Sequence, residues 1–186
     1  MARISVIYFS RNGATSKLAH AAISGVESAG CEIHFHEIKG SEIEEGRFVN
    51  VKVISEITHS DAVIFASPTY MGGVAAQFKS FADATGDVWS EQRWAGKFAA
   101  GITCGTALNG DQSSTLQYLS LFASQHGILW VGLDTASGHN QRGLNRLGCQ
   151  LGIVAQSTQN KVDAIDLETS EYLGSRVAAL AKRNQI

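Results

Sequence analysis

The sequence predicts an α/β fold built on a doubly wound sheet, and three observations predict it. Short apolar runs recur along the chain, most of them nearly unbroken, as in strands covered on both faces. Each run empties into small polar residues. Stretches with apolar residues every three or four positions then follow, the period of a helix lying on a sheet.

The first run is ISVIYF (4–9), and the next helical pattern, 15–26, repeats at Leu18, Ala22 and Val26. CEIHFHEI (31–38) alternates instead, as an edge strand does. AVIFAS (62–67) is a core strand, followed by a stripe of Ala75, Phe78, Phe81 and Ala82 over 75–84. KFAAGIT (97–103) precedes a helix over 111–125 with Leu116, Leu119, Phe122 and Ala123 on one face. ILWVGL (128–133) is read as the fifth strand, and 168–183, with Leu173, Val177, Leu180 and Ala181, as the closing helix. Between these two, 134–160 is rich in Gly and polar residues, long for a plain connection, and such loops are often functional. Right-handed crossovers restrict how these units wind.

The chain has 186 residues, 44% of them hydrophobic, and a net charge of -2. One globular domain over 1–186 is expected. The absence of a basic excess argues against a nucleic-acid surface. Cys31, Cys104 and Cys149 are isolated and form no CxxC, so neither a disulfide framework nor a zinc site is expected, and a reducing, cytoplasmic setting fits. No run approaches the roughly 18 apolar residues of a membrane span.

Ligands of such sheets bind outside the carboxyl ends of the strands, and three strand ends carry unusual sequence. Ser10-Arg11-Asn12-Gly13-Ala14-Thr15 offers successive backbone N–H groups, two hydroxyls and the positive end of a helix, which together suit a phosphate. It is neither a Walker loop nor a GxGxxG turn, and a capped turn is the plainer reading. The second end runs Ser67-Pro68-Thr69-Tyr70-Met71-Gly72-Gly73 and holds the single proline. Its Tyr70 and Met71 provide flat or polarisable surface, although a simple turn also fits. The third, Thr103-Cys104-Gly105-Thr106-Ala107-Leu108-Asn109, is again a loop of small residues, or a flexible connection. Taken together they suit a flat phosphorylated ligand. His34 and His36 share a strand face without a third metal ligand, so no metal is expected.

With these motifs in place, the chain resembles the flavodoxin-like family, and more closely the WrbA-type FMN-dependent NAD(P)H:quinone oxidoreductases. The likeness rests on Ser10-x-x-Gly13-x-Thr15, on SPTYMGG (67–73) followed by QFKSFAD (77–83), and on TCGT (103–106). It rests also on Trp89 ahead of Gly96-Lys97, on QHG (125–127), and on GCQLG (148–152) before ETSEYLGSRVAALA (168–181). The resemblance implies a three-layer αβα sandwich whose parallel sheet is ordered 2-1-3-4-5. It implies FMN as cofactor, with its phosphate at Ser10–Thr15 and its ring between Pro68, Thr69, Tyr70, Met71 and Gly72 and the loop Thr103–Asn109. NAD(P)H is then the electron donor and a quinone the acceptor, in turn at one pocket, with ping-pong kinetics. Trp89 maps to the family's pocket wall and His126 to its histidine near the flavin. Read on their own residues, Trp89 is a packing residue, and His126 before Gly127 is a helix end favoured by the dipole. A homodimer or homotetramer is implied, with the 134–160 segment near the pocket. The chain departs from the family pattern at Asn12, at Tyr70, and at Ala107-Leu108-Asn109 in place of a glycine run. The alternative functions are a one-electron carrier and a non-catalytic FMN-binding regulatory module.

Overall fold

The computed structural model describes residues 1–138 and 141–184. The near-continuous apolar runs become the strands β1 (Arg3–Tyr8), β2 (Glu32–Glu37), β3 (Ala62–Ala66) and β4 (Phe98–Gly105). Between them lie the helices α1 (Ala14–Ser28), α2 (Val51–Thr58), α3 (Ala76–Asp83), α4 (Gly86–Ser90) and α5 (Gln112–Gln125). The chain closes with β5 (Leu129–Trp130), β6 (Ile153–Thr158), β7 (Lys161–Val162) and α6 (Ala164–Arg183). The sheet order is β2-β1-β3-β4-β6, all parallel, with β7 antiparallel on the outer edge. This is the flavodoxin-like order 2-1-3-4-5, with β6 in the fifth lane.

The fifth lane corrects the sequence reading. Of the run 128–133, only Leu129 and Trp130 pair with β4, opposite Phe98 and Ala99. The rest of the lane is β6, whose Ile153–Gln156 pair with Ile102–Gly105. Residues 153–158 were expected in a polar loop, yet Ile153, Val154 and Ala155 are buried. The chain leaves the lane because of close backbone approaches. A Cβ at Gly132 would lie 2.3 Å from the Gln150 carbonyl oxygen. Leu133 N–H donates to that same oxygen at 2.8 Å, pinching the two ends of the excursion together. The Trp130 ring fills the space over Gly101, and its Nε1 donates to the Leu151 carbonyl at 2.8 Å. The excursion is built rather than loose. Asn145 is buried, donates to the Thr135 carbonyl and accepts from Cys149 N–H. Residues 139 and 140 of the expected loop lie outside the described residues. Helix α2 was also not anticipated; it has eight residues, of which Val53 and Ile57 are buried.

Two apolar clusters sit on opposite faces of the sheet. On one, Leu18, Val26, Leu173 and Val177 from α1 and α6 pack on Ile4, Val6, Ile64 and Ile102. On the other, Phe78, Phe81, Leu119 and Phe122 from α3 and α5 meet Phe65, with α2 adding Val53 and Ile57. The α1–α6 pair is unusually close. A Cβ at Gly174 would sit 2.0 Å from the Ala22 carbonyl oxygen, and one at Gly25 2.0 Å from that of Glu171. Ser170 and Ser175 hydroxyls donate to the carbonyls of Leu18 and Gly25 at 2.8 and 3.0 Å.

Replacing Gly174 by Ala therefore drives the helices apart. The expected loss of stability is about 3 kcal/mol, the upper range for overpacking. Urea unfolding measures it, and an unchanged midpoint would refute the close-packing account.

Candidate functional site

The cleft lies where the parallel strands end. Strand β1 stops at Tyr8, and the chain turns through Ser10–Gly13 into α1. Gly13 adopts φ +87°, a left-handed conformation, as the N-cap of α1. The Ser10 hydroxyl accepts from Gly13 N–H at 3.1 Å, folding the turn back on itself. No side chain caps α1. Its first-turn amides, which lack intrahelical acceptors, therefore remain available to an anion, with the helix dipole behind them. A simple capped turn would have used them. Thr15 is buried, and its hydroxyl meets Cys104 Sγ at 3.3 Å.

The second wall is a hairpin, Thr69–Tyr70 against Gly73–Val74. Met71 and Gly72 at its tip have φ +50° and +79°. Such a primed turn matches strand twist, but it places Met71 in a region that costs a non-glycine residue about 1 kcal/mol. Met71 is fully exposed there, and Tyr70 half-exposed. The hairpin is fixed from below by hydroxyls. Buried Ser67 accepts from Ala75 N–H at 2.9 Å. The Thr69 hydroxyl lies 2.8 Å from those of both Thr103 and Thr115. Ser114 donates to the Gly72 carbonyl at 2.8 Å.

Strand β4 and its loop form the third wall. Of the residues expected here, Cys104, Gly105 and Thr106 line the first cavity with Ser10, Asn12 and Thr15. Arg11, Ala14, Pro68, Thr69 and Tyr70 line it as well. Its volume is ≈ 420 Å³, in the usual range for a small-molecule site. Among the described residues Arg11 is the only charged one in its lining, so none of them sets a carboxylate against an anion. A contiguous second cavity of ≈ 730 Å³ shares Thr69, Gly105 and Thr106. It adds Met71, Gly72, Ala107 and Asn109 from the expected set. Gly13, Thr103 and Leu108 line neither. Thr103 lies fully buried in β4 beneath Thr69, and Leu108 is exposed. Burial pushes the Cys104 thiol above its ordinary pKa, so it stays protonated and is no nucleophile.

The 134–160 segment, expected near the pocket, supplies a fourth wall whose residues the sequence reading did not single out. Ser157, Gln159 and Asn160, at the β6–β7 turn, also line the first cavity. Gln159 and Asn160 both have positive φ, and Lys17 Nζ of α1 donates to the Asn160 carbonyl at 2.9 Å. Gln156 Nε2 holds the third loop through the Thr106 carbonyl at 3.1 Å. Asp166, buried and bonded twice by Arg146 at 2.8 and 2.7 Å, receives Gln156 N–H. The signal available was the pair of residues Gln-Asn between VAQST and KV, a two-residue hairpin turn.

The chain is similar to known proteins over nearly its whole length. The family described as NADPH-dependent FMN reductase matches residues 2–141. A protein of Archaeoglobus fulgidus named NAD(P)H dehydrogenase (quinone) is 35% identical, over 98% of this chain and 99% of its own length. Flavodoxin FldP of Pseudomonas aeruginosa is 34% identical, over 98% of each chain. Among solved structures, the flavodoxin-like WrbA-like protein of Agrobacterium tumefaciens superposes with a TM-score of 0.77. It is 35% identical and covers 98% of this chain and 99% of that one.

Two expected residues stand apart from both cavities. Trp89, on α4, is 47% exposed and lines neither. His126 is 1% exposed at the end of α5, its ring 4.5 Å from that of Trp94. The Thr85 hydroxyl donates to the Ala82 carbonyl at 2.7 Å, so it accepts from His126 Nε2–H at 2.9 Å. Burial lowers the His126 pKa from 6.5 to about 4. The unfolded chain therefore takes up this proton before the native state does. The stability contributed by neutral His126 is complete above pH 6.5 and is lost as pH falls toward 4. Denaturation midpoints at pH 7 and 4.5 should differ by less in His126→Gln than in the wild type; an equal difference would place the acid sensitivity elsewhere.

Proposed function

The chain belongs to the NADPH-dependent FMN reductase family, and on that premise we propose that it holds FMN in this cleft and passes two electrons from NAD(P)H to a quinone. The observation that carries this reading is the seat at Ser10–Thr15. It offers uncapped helix amides and hydroxyls with no carboxylate among the described lining residues, and so fits a dianionic phosphate without a phosphate lysine. Each hydrogen bond to a charged group is worth roughly 1.5–3 kcal/mol, so a handful reach the binding free energy of nanomolar affinity, about 12 kcal/mol. Pro68–Gly72 and Gly105–Asn109 flank the ring, and Ser157 with the Gln159-Asn160 turn closes the side.

FMN, when bound, supplies the redox chemistry, and the protein supplies position and exclusion of water. With Cys104 protonated and His126 buried away from the cleft, the site works through walls and backbone donors. Donor and acceptor are flat and oxidised or reduced in turn, so one pocket beside Tyr70 serves both. This gives ping-pong kinetics. The named quinone dehydrogenase at 35% identity supports the reading.

A second reading, a one-electron carrier for a protein partner, is favoured by the 34% identical Flavodoxin FldP. Steady-state turnover separates the two. Purified protein with FMN should oxidise NAD(P)H when benzoquinone is supplied, and double-reciprocal plots should be parallel. Intersecting plots would overturn the shared pocket, and absence of turnover would favour the carrier. Thr15→Val should weaken FMN binding about tenfold, one hydrogen bond to a charged group, as read by equilibrium dialysis.

A further inference from the structure

Across Tyr70 from the first cavity lies another, of ≈ 520 Å³. Phe9 just past β1, Val74 in the hairpin, and Gln77 and Lys79 on α3 line it. Arg11 and Tyr70 line this cavity and the first alike. Tyr70 is 40% exposed, and Arg11 is exposed as well. The divide between the two cavities therefore lies at the surface, and a ligand can lie across it without displacing buried side chains.

The charged residues of this lining, among those described, are two cations, Arg11 and Lys79. The Arg11 guanidinium has no ion pair or hydrogen bond with the described residues, although its planar fork suits bidentate bonds to a carboxylate or phosphate. Lys79 pairs with Asp83 one turn along α3. Both partners are close to half-exposed, and such a pair contributes little. Asp83 is not in the lining, so Lys79 Nζ can leave it for a more highly charged ligand. Phe9 is buried beneath the two exposed cations and gives the cavity an apolar floor.

The electron donor of the preceding section has a matching anion. NAD(P)H carries, one ribose away from its reacting ring, a diphosphate with two negative charges. The anion seat at Ser10–Thr15 is taken by the cofactor's own phosphate in that reading. A dinucleotide that lays its nicotinamide beside Tyr70 therefore needs a second seat for its diphosphate. We propose that the cavity between Phe9, the Tyr70 hairpin and α3 is that seat, with Arg11 and Lys79 binding the donor's diphosphate. The inference rests on the donor reading and deepens it. Donor and acceptor share the ring pocket, but an uncharged quinone has nothing to place in this cavity. Arg11 and Lys79 thus select the donor and take no part in electron transfer.

Lys79 lines this cavity and not the first, so Lys79→Gln is the discriminating variant. The probes are NADH, NADPH and N-benzyl-dihydronicotinamide, a hydride donor without phosphates, oxidised by the FMN-loaded protein. The ratio of kcat/KM for each dinucleotide to that for the benzyl donor should fall about tenfold in Lys79→Gln, the worth of one hydrogen bond to a charged group. Lys79→Arg should restore it. Calorimetric titration of the loaded protein with ADP-ribose, the donor without its nicotinamide, should show affinity weakened by the same factor. An unchanged ratio in Lys79→Gln overturns the proposal, as does equal ADP-ribose affinity in variant and wild type. A loss confined to NADPH also overturns it, since the ligand would then be the 2′-phosphate and not the diphosphate. If wild type oxidises neither dinucleotide nor the benzyl donor, the donor reading fails and this inference with it, an outcome distinct from an unchanged ratio.

Discussion

The site depends on how closely α1 lies against α6. Bare backbone at Gly25 and Gly174 lets the two helices meet carbonyl to Cα, and Ser170 and Ser175 tie them across the seam. Helix α1 is thereby held rigidly along its length, and its uncapped amino end is held with it. An anion seat made of backbone amides has no side-chain reach with which to correct a misplaced helix. Its accuracy is inherited from packing two to three turns away.

The opposite wall is secured by other means. Hairpins of two residues per strand have little stability of their own. Here the hydroxyls of Thr103, Thr69 and Thr115 form a linked row that joins the hairpin to β4 and α5, while Ser67 and Ser114 bind the backbone at Ala75 and Gly72. Hydroxyls suit this task because each both donates and accepts, so a linked row leaves no member unpaired. The cleft thus combines one wall fixed by apolar packing with another fixed by polar contacts, and the exposed Tyr70 and Met71 are carried on the second.

Much of this was legible in the sequence. The runs ISVIYF, AVIFAS and KFAAGIT announce doubly covered strands, and the small polar residues after each announce the loops of the cleft. What was not legible shares one cause: the information is split between distant segments. ILWVGL reads as a full strand because its side chains are apolar, but only the crossing of Gly132 over Gln150 shows that it stops after Trp130. Strand β6 is half apolar and half polar because Ile153–Ala155 face the core while Ser157 and its turn face the cleft. Gln112 reads as an ordinary first residue of a helix. Only the fold brings Gly105 and Ala107 against it. The helix α2 carries a readable period, with Val53 and Ile57 buried four residues apart, which the sequence reading passed over.

The shared fifth lane has a consequence for how this architecture can change over time. Two segments occupy one position in the sheet, each with its own register against β4, and the detour between them is closed at its neck by Leu133 and Gln150. Residues added to or removed from the detour leave both registers intact. The neck is thus a natural graft point, where descendants of the fold gain or shed surface so long as Arg146 and Leu147, which the detour lends to the cradle through Asp166 and Asn109, stay in place.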